Sequence, residues 1–182
     1  MDILPYTEEH RIFRDSAKKF FEKEVVPFVD QWEEDGIVPR SIWKRMGEQG
    51  FLCMQVPEEY GGLGADFLYS AILMDELVRT NHFGLAAYLH SDIVVPYITA
   101  YASEDLKQKY LPACVSGDII TAVAMTEPNT GSDLAAIRTT AVDDGDHVVI
   151  NGQKTFISNG ILSDLVVLAV KDPRAENPHQ GI

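Results

Sequence analysis

Hydroxyl-bearing and small residues are concentrated in two short segments of the second half of the chain. Residues 124–133 read AMTEPNTGSD, and residues 151–160 read NGQKTFISNG. Thr126, Ser132 and Ser158 carry hydroxyl groups that can both donate and accept hydrogen bonds. Small residues also let a flat or phosphorylated ligand approach the backbone closely. The two segments are therefore candidates for binding such a ligand.

Each segment also has a purely structural interpretation. The first is typical of a strand that runs into an ordinary turn. In the second, Asn151-Gly152 is a strong turn signal between the runs 147–150 and 154–157, which predicts a hairpin with Phe156 in the core. Phe156 would instead lie against an aromatic ring if the segment binds a ligand. Taken singly, neither segment decides between these interpretations.

The first two thirds of the chain have the apolar spacing of helices. Thr7 is predicted to cap the first helix, because its side-chain oxygen can accept a hydrogen bond from an amide at a helix start. Apolar residues then recur at spacings of three and four on one face. The run from Phe83 to Tyr101 is almost wholly apolar or small, which predicts a buried helix with a break near Pro96.

The periodicity changes near residue 118. We predict a helical domain over residues 1–118 and a β domain over residues 119–182, in which DDGD at 143–146 marks a hairpin. The predicted fold class is α+β, an all-helical domain followed by the first part of an antiparallel β-barrel or sandwich. Four or five strands would leave an unpaired sheet edge, so the chain is expected to be the front portion of a longer protein.

Composition restricts the function classes. The net charge is −13, which argues against general nucleic-acid binding because phosphate backbones are repelled. Cys53 and Cys114 fit neither a metal-ligand spacing nor a disulfide framework, so we predict no metal site and a reducing compartment. No secretory signal and no apolar run long enough for a bilayer is present. The prediction is a cytoplasmic protein without a membrane span.

Together, the two segments resemble the flavin-contacting stretches of the acyl-CoA dehydrogenase family. The resemblance is carried by AMTEP at 124–128, GSD at 131–133 and GQKTFISNG at 152–160. PEEYGG at 57–62 is similar to the glycine loop of the same family, and the likeness extends over nearly the whole chain. Within the family, the first helix and the FISNG stretch look closest to the long-chain branch.

The resemblance implies a three-domain enzyme whose C-terminal helical bundle is absent here. It implies FAD as cofactor and the oxidation of acyl-CoA thioesters to trans-2-enoyl-CoA, a step of fatty acid β-oxidation. The family's catalytic base lies in the bundle, so no catalytic residue is expected in this sequence, and the chain alone is expected to be inactive. The full-length enzyme would bind acyl-CoA, pass electrons to an electron-transfer flavoprotein and form a homo-oligomer, either a dimer or a tetramer.

The resemblance also implies a role for individual residues. Many family members carry tryptophan where this sequence has Phe156. Ser132 would lie where the flavin and the CoA part of the substrate come close, and would contact both. The residues implied in cofactor binding are Met125 (through its backbone N–H), Thr126 (through its hydroxyl), Ser132, Phe156, Ile157 and Ser158.

The apolar run that contains Gly84 suggests a cavity for the acyl chain. Leu85, Tyr88 and Ser91 are its candidate lining residues, since Gly84 would let another backbone approach. Ordinary core packing is the alternative interpretation of these three residues.

Two other functions fit the same sequence. A flavin-dependent monooxygenase or a nitroalkane oxidase would keep the fold and change the reaction, and the identity of the base would distinguish it. A truncated, non-enzymatic module would bind acyl-CoA or a protein partner but no flavin.

Overall fold

The computed structural model describes residues 4–174, which form two compact units divided between Ile120 and Thr121. The first unit is helical and the second contains the strands, so the predicted order of helical domain and β region is confirmed. The helices are α1 (Glu8–Glu24), α2 (Val29–Asp35), α3 (Arg40–Glu48), α4 (Phe67–Val78), α5 (Val95–Tyr101) and α6 (Glu104–Val115), and the strands are β1 (Thr121–Ala124), β2 (Thr140–Asp143), β3 (Val148–Asn151) and β4 (Leu165–Leu168).

Helix α1 begins after the residue predicted to cap it. Thr7 Oγ1 accepts a hydrogen bond from the amide of His10 at 3.3 Å, and His10 Nδ1 accepts one from the amide of Thr7 at 3.1 Å. This reciprocal pair satisfies two amides that have no partner within the helix. The buried His10 also places Nε2 3.4 Å from Oδ1 of Asp66, the cap of α4. One imidazole therefore connects the starts of the two helices.

The core of the helical unit combines side chains from most of its helices with those of the loop that follows α3. Each buried aliphatic or aromatic side chain contributes about 1.5–3 kcal/mol relative to an exposed one. The largest side chains that are almost completely buried include Phe21, Trp43, Met46, Leu52, Ile72 and Leu111.

Two glycines allow α3 to contact the end of α6 backbone to backbone. A Cβ atom on Gly47 would lie 2.2 Å from the carbonyl oxygen of Ser116, and one on Gly117 would lie 2.4 Å from that of Trp43. Gly117 also has a φ of +75°, which residues other than glycine rarely adopt. The close approach of these elements therefore requires glycine at both positions.

Replacing Gly47 by Ala tests this contact. Alanine has a helix propensity about 1 kcal/mol better than glycine. The new methyl group, however, would collide with main-chain atoms of Ser116, which cannot move aside as a flexible side chain can. We expect a net loss of about 2 kcal/mol in the free energy of unfolding, measured by urea titration with the fluorescence of Trp32 and Trp43, which both lie in the helical unit. The control is Gly131→Ala, where φ is not positive and no atom lies within 4 Å of the added methyl group. A Gly47→Ala protein as stable as the wild type would contradict the contact.

The predicted helix over residues 83–101 is correct only in its second part. Helical conformation begins at Ala87, and a π-helix occupies Leu89–Val94 before α5. The amide of Val95 donates to the carbonyl of His90, five residues earlier, and Pro96 has no amide hydrogen to continue the ordinary spacing. The predicted break near Pro96 is therefore wrong: the helix widens to a π-helix before the proline, and α5 continues past it.

The β unit contains two strand pairs of different direction. β2 and β3 pair antiparallel, with Asp143 opposite Val148, so the hairpin predicted around residues 143–146 is confirmed. β1 and β4 pair in parallel, with Thr121 opposite Leu165. The antiparallel arrangement expected from the sequence therefore applies to the β2–β3 pair only. In the parallel pair, a long connection brings the chain back so that β4 runs in the same direction as β1.

The second hairpin, predicted at Asn151-Gly152, is wrong. The residues after β3 form no strand with it, because their hydrogen bonds are made elsewhere: the amide of Thr155 donates to the carbonyl of Thr126 at 3.0 Å. A Cβ atom on Gly152 would lie 2.3 Å from Thr139 Oγ1. This glycine serves a close contact rather than a tight turn.

Two kinds of feature are absent from residues 4–174. No helix in this range is long and apolar enough to cross a membrane. Nor do three or more His, Cys, Asp or Glu side chains come together there in a group that could hold a metal ion.

Candidate functional site

The two hydroxyl-bearing segments lie in contact within the β unit. We call residues 124–133 the first turn and residues 152–160 the second turn. Lys154 Nζ donates to the carbonyl of Met125 at 2.8 Å, across 29 positions of sequence. The adjacent amide of Thr155 donates to the carbonyl of Thr126 at 3.0 Å. Two consecutive residues of the second turn therefore hold two consecutive residues of the first.

The carboxylate of Glu127 is the centre of this contact. Lys154 Nζ lies 2.9 Å from its Oε1, and the two side chains are only 10% and 5% exposed. The amide of Thr139 donates to Oε1 at 2.8 Å, and the amide of Arg138 donates to Oε2 at 2.7 Å. Glu127 therefore closes the base of the loop that carries Ser132 and binds the second turn at the same time.

The same contacts fix the protonation state of Glu127. Burial opposes ionisation and by itself would raise the pKa of the carboxyl group. Hydrogen bonds from Thr139, from the Lys154 ammonium group and from the Arg138 amide outweigh burial and lower the pKa from 4.5 to about 2. Glu127 is thus an anion at neutral pH with its acceptors occupied. It is a structural residue and not a free base.

Acid should loosen this region in a defined pH range. Because the folded-state pKa is lowered, the stabilisation from ionised Glu127 is complete above pH 4.5 and is lost as the pH falls towards about 2. We expect Glu127→Gln to lose about 3–5 kcal/mol at neutral pH and to flatten this pH dependence. Hydrogen-exchange protection of the Arg138 and Thr139 amides measures both effects.

The matched control for that experiment is Asp133→Asn. It removes the same charge from the same loop at an exposed position. Equal protection of the two amides in both variants would contradict the role assigned to Glu127.

Phe156 has an unusual conformation for a phenylalanine. Its φ is +55°, and its side chain is 91% exposed. A non-glycine residue held in this region is strained by about 1–3 kcal/mol, and such residues cluster at functional sites. An exposed aromatic side chain also leaves apolar surface in water. The alternative of a core phenylalanine in a hairpin is therefore wrong, and the ring is free to contact a ligand.

The other residues implied in cofactor binding lie at or near the surface of the same two turns. Met125, Thr126 and Ile157 are half-buried, whereas Ser132 and Ser158 are exposed. Within residues 4–174, the hydroxyls of Thr126, Ser132 and Ser158 have no hydrogen-bond partner. The two turns therefore present unused donors and acceptors together with one aromatic face.

Two of the three candidate acyl-chain residues line one cavity in the helical unit. Leu85 and Tyr88 contribute to an apolar space of about 190 Å³ whose lining is completed by Met74, Leu77, Val78, His82 and Phe83. Ser91 is not among the lining residues. Its hydroxyl instead accepts a hydrogen bond from the buried amide of Cys53 at 3.0 Å, so its side chain already has a structural role.

Sequence reasoning missed one member of the site, Lys154. No local pattern marks it, since a lysine three residues after a strand is most often solvated. The only available signal was the pairing of opposite charges across the two segments, Glu127 in one and Lys154 in the other.

Comparison with known proteins identifies the family. The family model described as "Acyl-CoA dehydrogenase, N-terminal domain" matches residues 7–118, and "Acyl-CoA dehydrogenase, middle domain" matches residues 122–182. The chain belongs to the acyl-CoA dehydrogenase family. The family predicted from the two turns is therefore confirmed.

Individual relatives of this acyl-CoA dehydrogenase chain belong to the same family. It is 44% identical over 178 residues to the rat "Long-chain specific acyl-CoA dehydrogenase, mitochondrial", a match that covers 97% of this chain and 41% of the relative. The predicted likeness to the long-chain branch is thus confirmed. The chain spans less than half the length of this relative.

Solved structures show the same fold. The acyl-CoA dehydrogenase from Geobacillus kaustophilus is 56% identical with a TM-score of 0.94, over 97% of this chain and 47% of that one. The acyl-CoA dehydrogenase from Bacillus anthracis, solved in complex with FAD, is 32% identical with a TM-score of 0.86, over 94% of this chain and 30% of that one.

Proposed function

We propose that this chain supplies the flavin-binding front part of an enzyme that oxidises acyl-CoA thioesters to trans-2-enoyl-CoA. The observation that carries the proposal is the contact between the two turns, which brings the hydroxyls of Thr126 and Ser158 and the exposed ring of Phe156 onto one compact unit. These groups fit FAD, whose tricyclic ring is flat and apolar on its faces and polar along one edge. When bound, FAD would accept the hydride that the acyl chain loses from Cβ.

In this proposal each turn has a separate task. Met125, Thr126 and Ser132 would offer hydrogen bonds to the polar edge of the flavin, and Ser132 would also approach the CoA part of the substrate. Phe156, Ile157 and Ser158 would pack on and bond to the other flank. Groups fixed before binding stabilise developing charge without reorganising, so a rigid pair of turns favours the reaction. Leu85 and Tyr88 would line part of the space for the acyl chain.

The remaining chemistry is proposed for the whole enzyme. We assign no catalytic base within this sequence, and the chain on its own is expected to lack dehydrogenase activity. An electron-transfer flavoprotein as electron acceptor, a homo-oligomeric state and a role in fatty acid β-oxidation are proposed from family membership. A cytoplasmic location stays a prediction, and the rat relative is by name a mitochondrial protein.

The strain at Phe156 allows a test that separates ligand binding from stability. Phe156→Gly removes the aromatic contact, so we expect FAD affinity to fall by about 1 kcal/mol, or roughly fivefold. Glycine adopts a φ of +55° without strain, so the free energy of unfolding should stay equal or rise. Phe156→Trp should retain FAD binding. Quenching of flavin fluorescence gives the affinity, and urea titration gives the stability. An unchanged affinity in Phe156→Gly would count against the site.

The hydroxyl groups provide a second, independent test. Thr126→Ala combined with Ser158→Ala should weaken FAD retention, with each lost hydrogen bond costing about 0.5–1.5 kcal/mol. The flavin content after dialysis, read from the visible absorbance, measures the loss. Ser163→Ala is the control, because Ser163 Oγ donates only within its own turn, to the carbonyl of Gly160 at 3.2 Å. A chain that binds acyl-CoA but no FAD would favour the non-enzymatic module instead.

A further inference from the structure

Lys154 is an unusual lysine because its ammonium group is almost entirely removed from water. Its side chain is 10% exposed, and its Nζ donates to two acceptors, the carbonyl of Met125 at 2.8 Å and Glu127 Oε1 at 2.9 Å. Lysine is rarely buried unless its charge is paired. The pairing with Glu127 explains how the charge is tolerated. It does not explain why one donor is directed at a main-chain carbonyl of the first turn.

The geometry of the peptide bond gives that contact a consequence. The peptide between Met125 and Thr126 is trans, so its C=O and N–H groups point in opposite directions. Holding the Met125 carbonyl towards Lys154 directs the Thr126 N–H away from the Lys154 ammonium group. Within the part of the chain that the structure describes, this N–H has no acceptor. The contact therefore presents a main-chain donor beside the Thr126 hydroxyl.

The next peptide of the first turn, between Thr126 and Glu127, is fixed in a different way. The Thr126 carbonyl is held by the amide of Thr155 at 3.0 Å, and the Glu127 amide donates to the carbonyl of Thr130 at 2.9 Å. The Thr126–Glu127 peptide is thus held at both ends by main-chain hydrogen bonds, one to each turn. Only the Met125 carbonyl depends on a side chain for its orientation, and that side chain is Lys154.

We propose that Lys154 is a positioning residue for flavin binding, whose ammonium group holds the Met125–Thr126 peptide so that the Thr126 N–H faces the ligand. The inference rests on the proposed function, because it assigns the flavin as that ligand. Lys154 itself does not touch the flavin and acts through the peptide. Glu127 contributes by keeping the ammonium group in place.

Two measurements on the 182-residue chain test the proposal. The first is the dissociation constant for FAD in wild type, Lys154→Met, Lys154→Arg and the control Lys171→Met. Lys171 Nζ also donates to a main-chain carbonyl of the same unit, that of Ala135 at 3.1 Å. We expect Lys154→Met to weaken binding at least about tenfold, Lys171→Met to change it by less than about twofold, and Lys154→Arg to restore most of the affinity, because arginine keeps the charge and several donors.

The second measurement is hydrogen exchange at the Thr126 amide, with and without saturating FAD. FAD should slow this exchange in wild type and Lys154→Arg, and should leave it unaffected in Lys154→Met. A purely structural lysine would leave the exchange response unchanged in any variant that still folds. If Lys154→Met does not fold, the wild-type response decides, and a Thr126 amide that ignores bound FAD overturns the inference. A folded Lys154→Met protein with wild-type affinity also overturns it. A wild-type chain that binds no FAD would instead remove the proposed function.

Discussion

The buried carboxylate of Glu127 joins three parts of the β unit that are distant in sequence. It belongs to the first turn, accepts hydrogen bonds from the amides of Arg138 and Thr139 at the base of the following loop, and pairs with Lys154 of the second turn. A buried ion pair of this kind adds little stability compared with apolar packing, but losing one partner is very unfavourable. Its effect is therefore on specificity, since alternative arrangements of the two turns would leave a charge unpaired.

The features that sequence predicted well depend on neighbouring residues. Thr7 caps α1 through a hydrogen bond three residues away, and the turn at residues 143–146 closes a hairpin between adjacent strands. Both need only local geometry, which residue type and spacing specify. The contact between the two turns is long-range, and the sequence predicted it through resemblance to a family, because no periodicity in this chain relates the two segments.

The features that sequence missed depend on tertiary contacts. Asn151-Gly152 has the composition of a tight hairpin, yet the amide of Thr155 donates to the first turn and the residues directly after Gly152 form no strand with β3. Phe156 is apolar and was assigned to a core in the structural interpretation, but its backbone conformation turns it outwards. At Thr155 a hydrogen bond to a distant segment outweighs local propensity, and such partners are invisible before the chain is folded.

Flavin binding as proposed requires the two turns to form one binding surface. Amide chemical shifts followed during an FAD titration test this most directly, since every residue reports separately. We expect the amides of Met125 and Thr126 in the first turn and of Phe156 and Ser158 in the second to shift together, along one curve with a single dissociation constant. Shifts confined to one turn, or two turns that respond with different affinities, would contradict it.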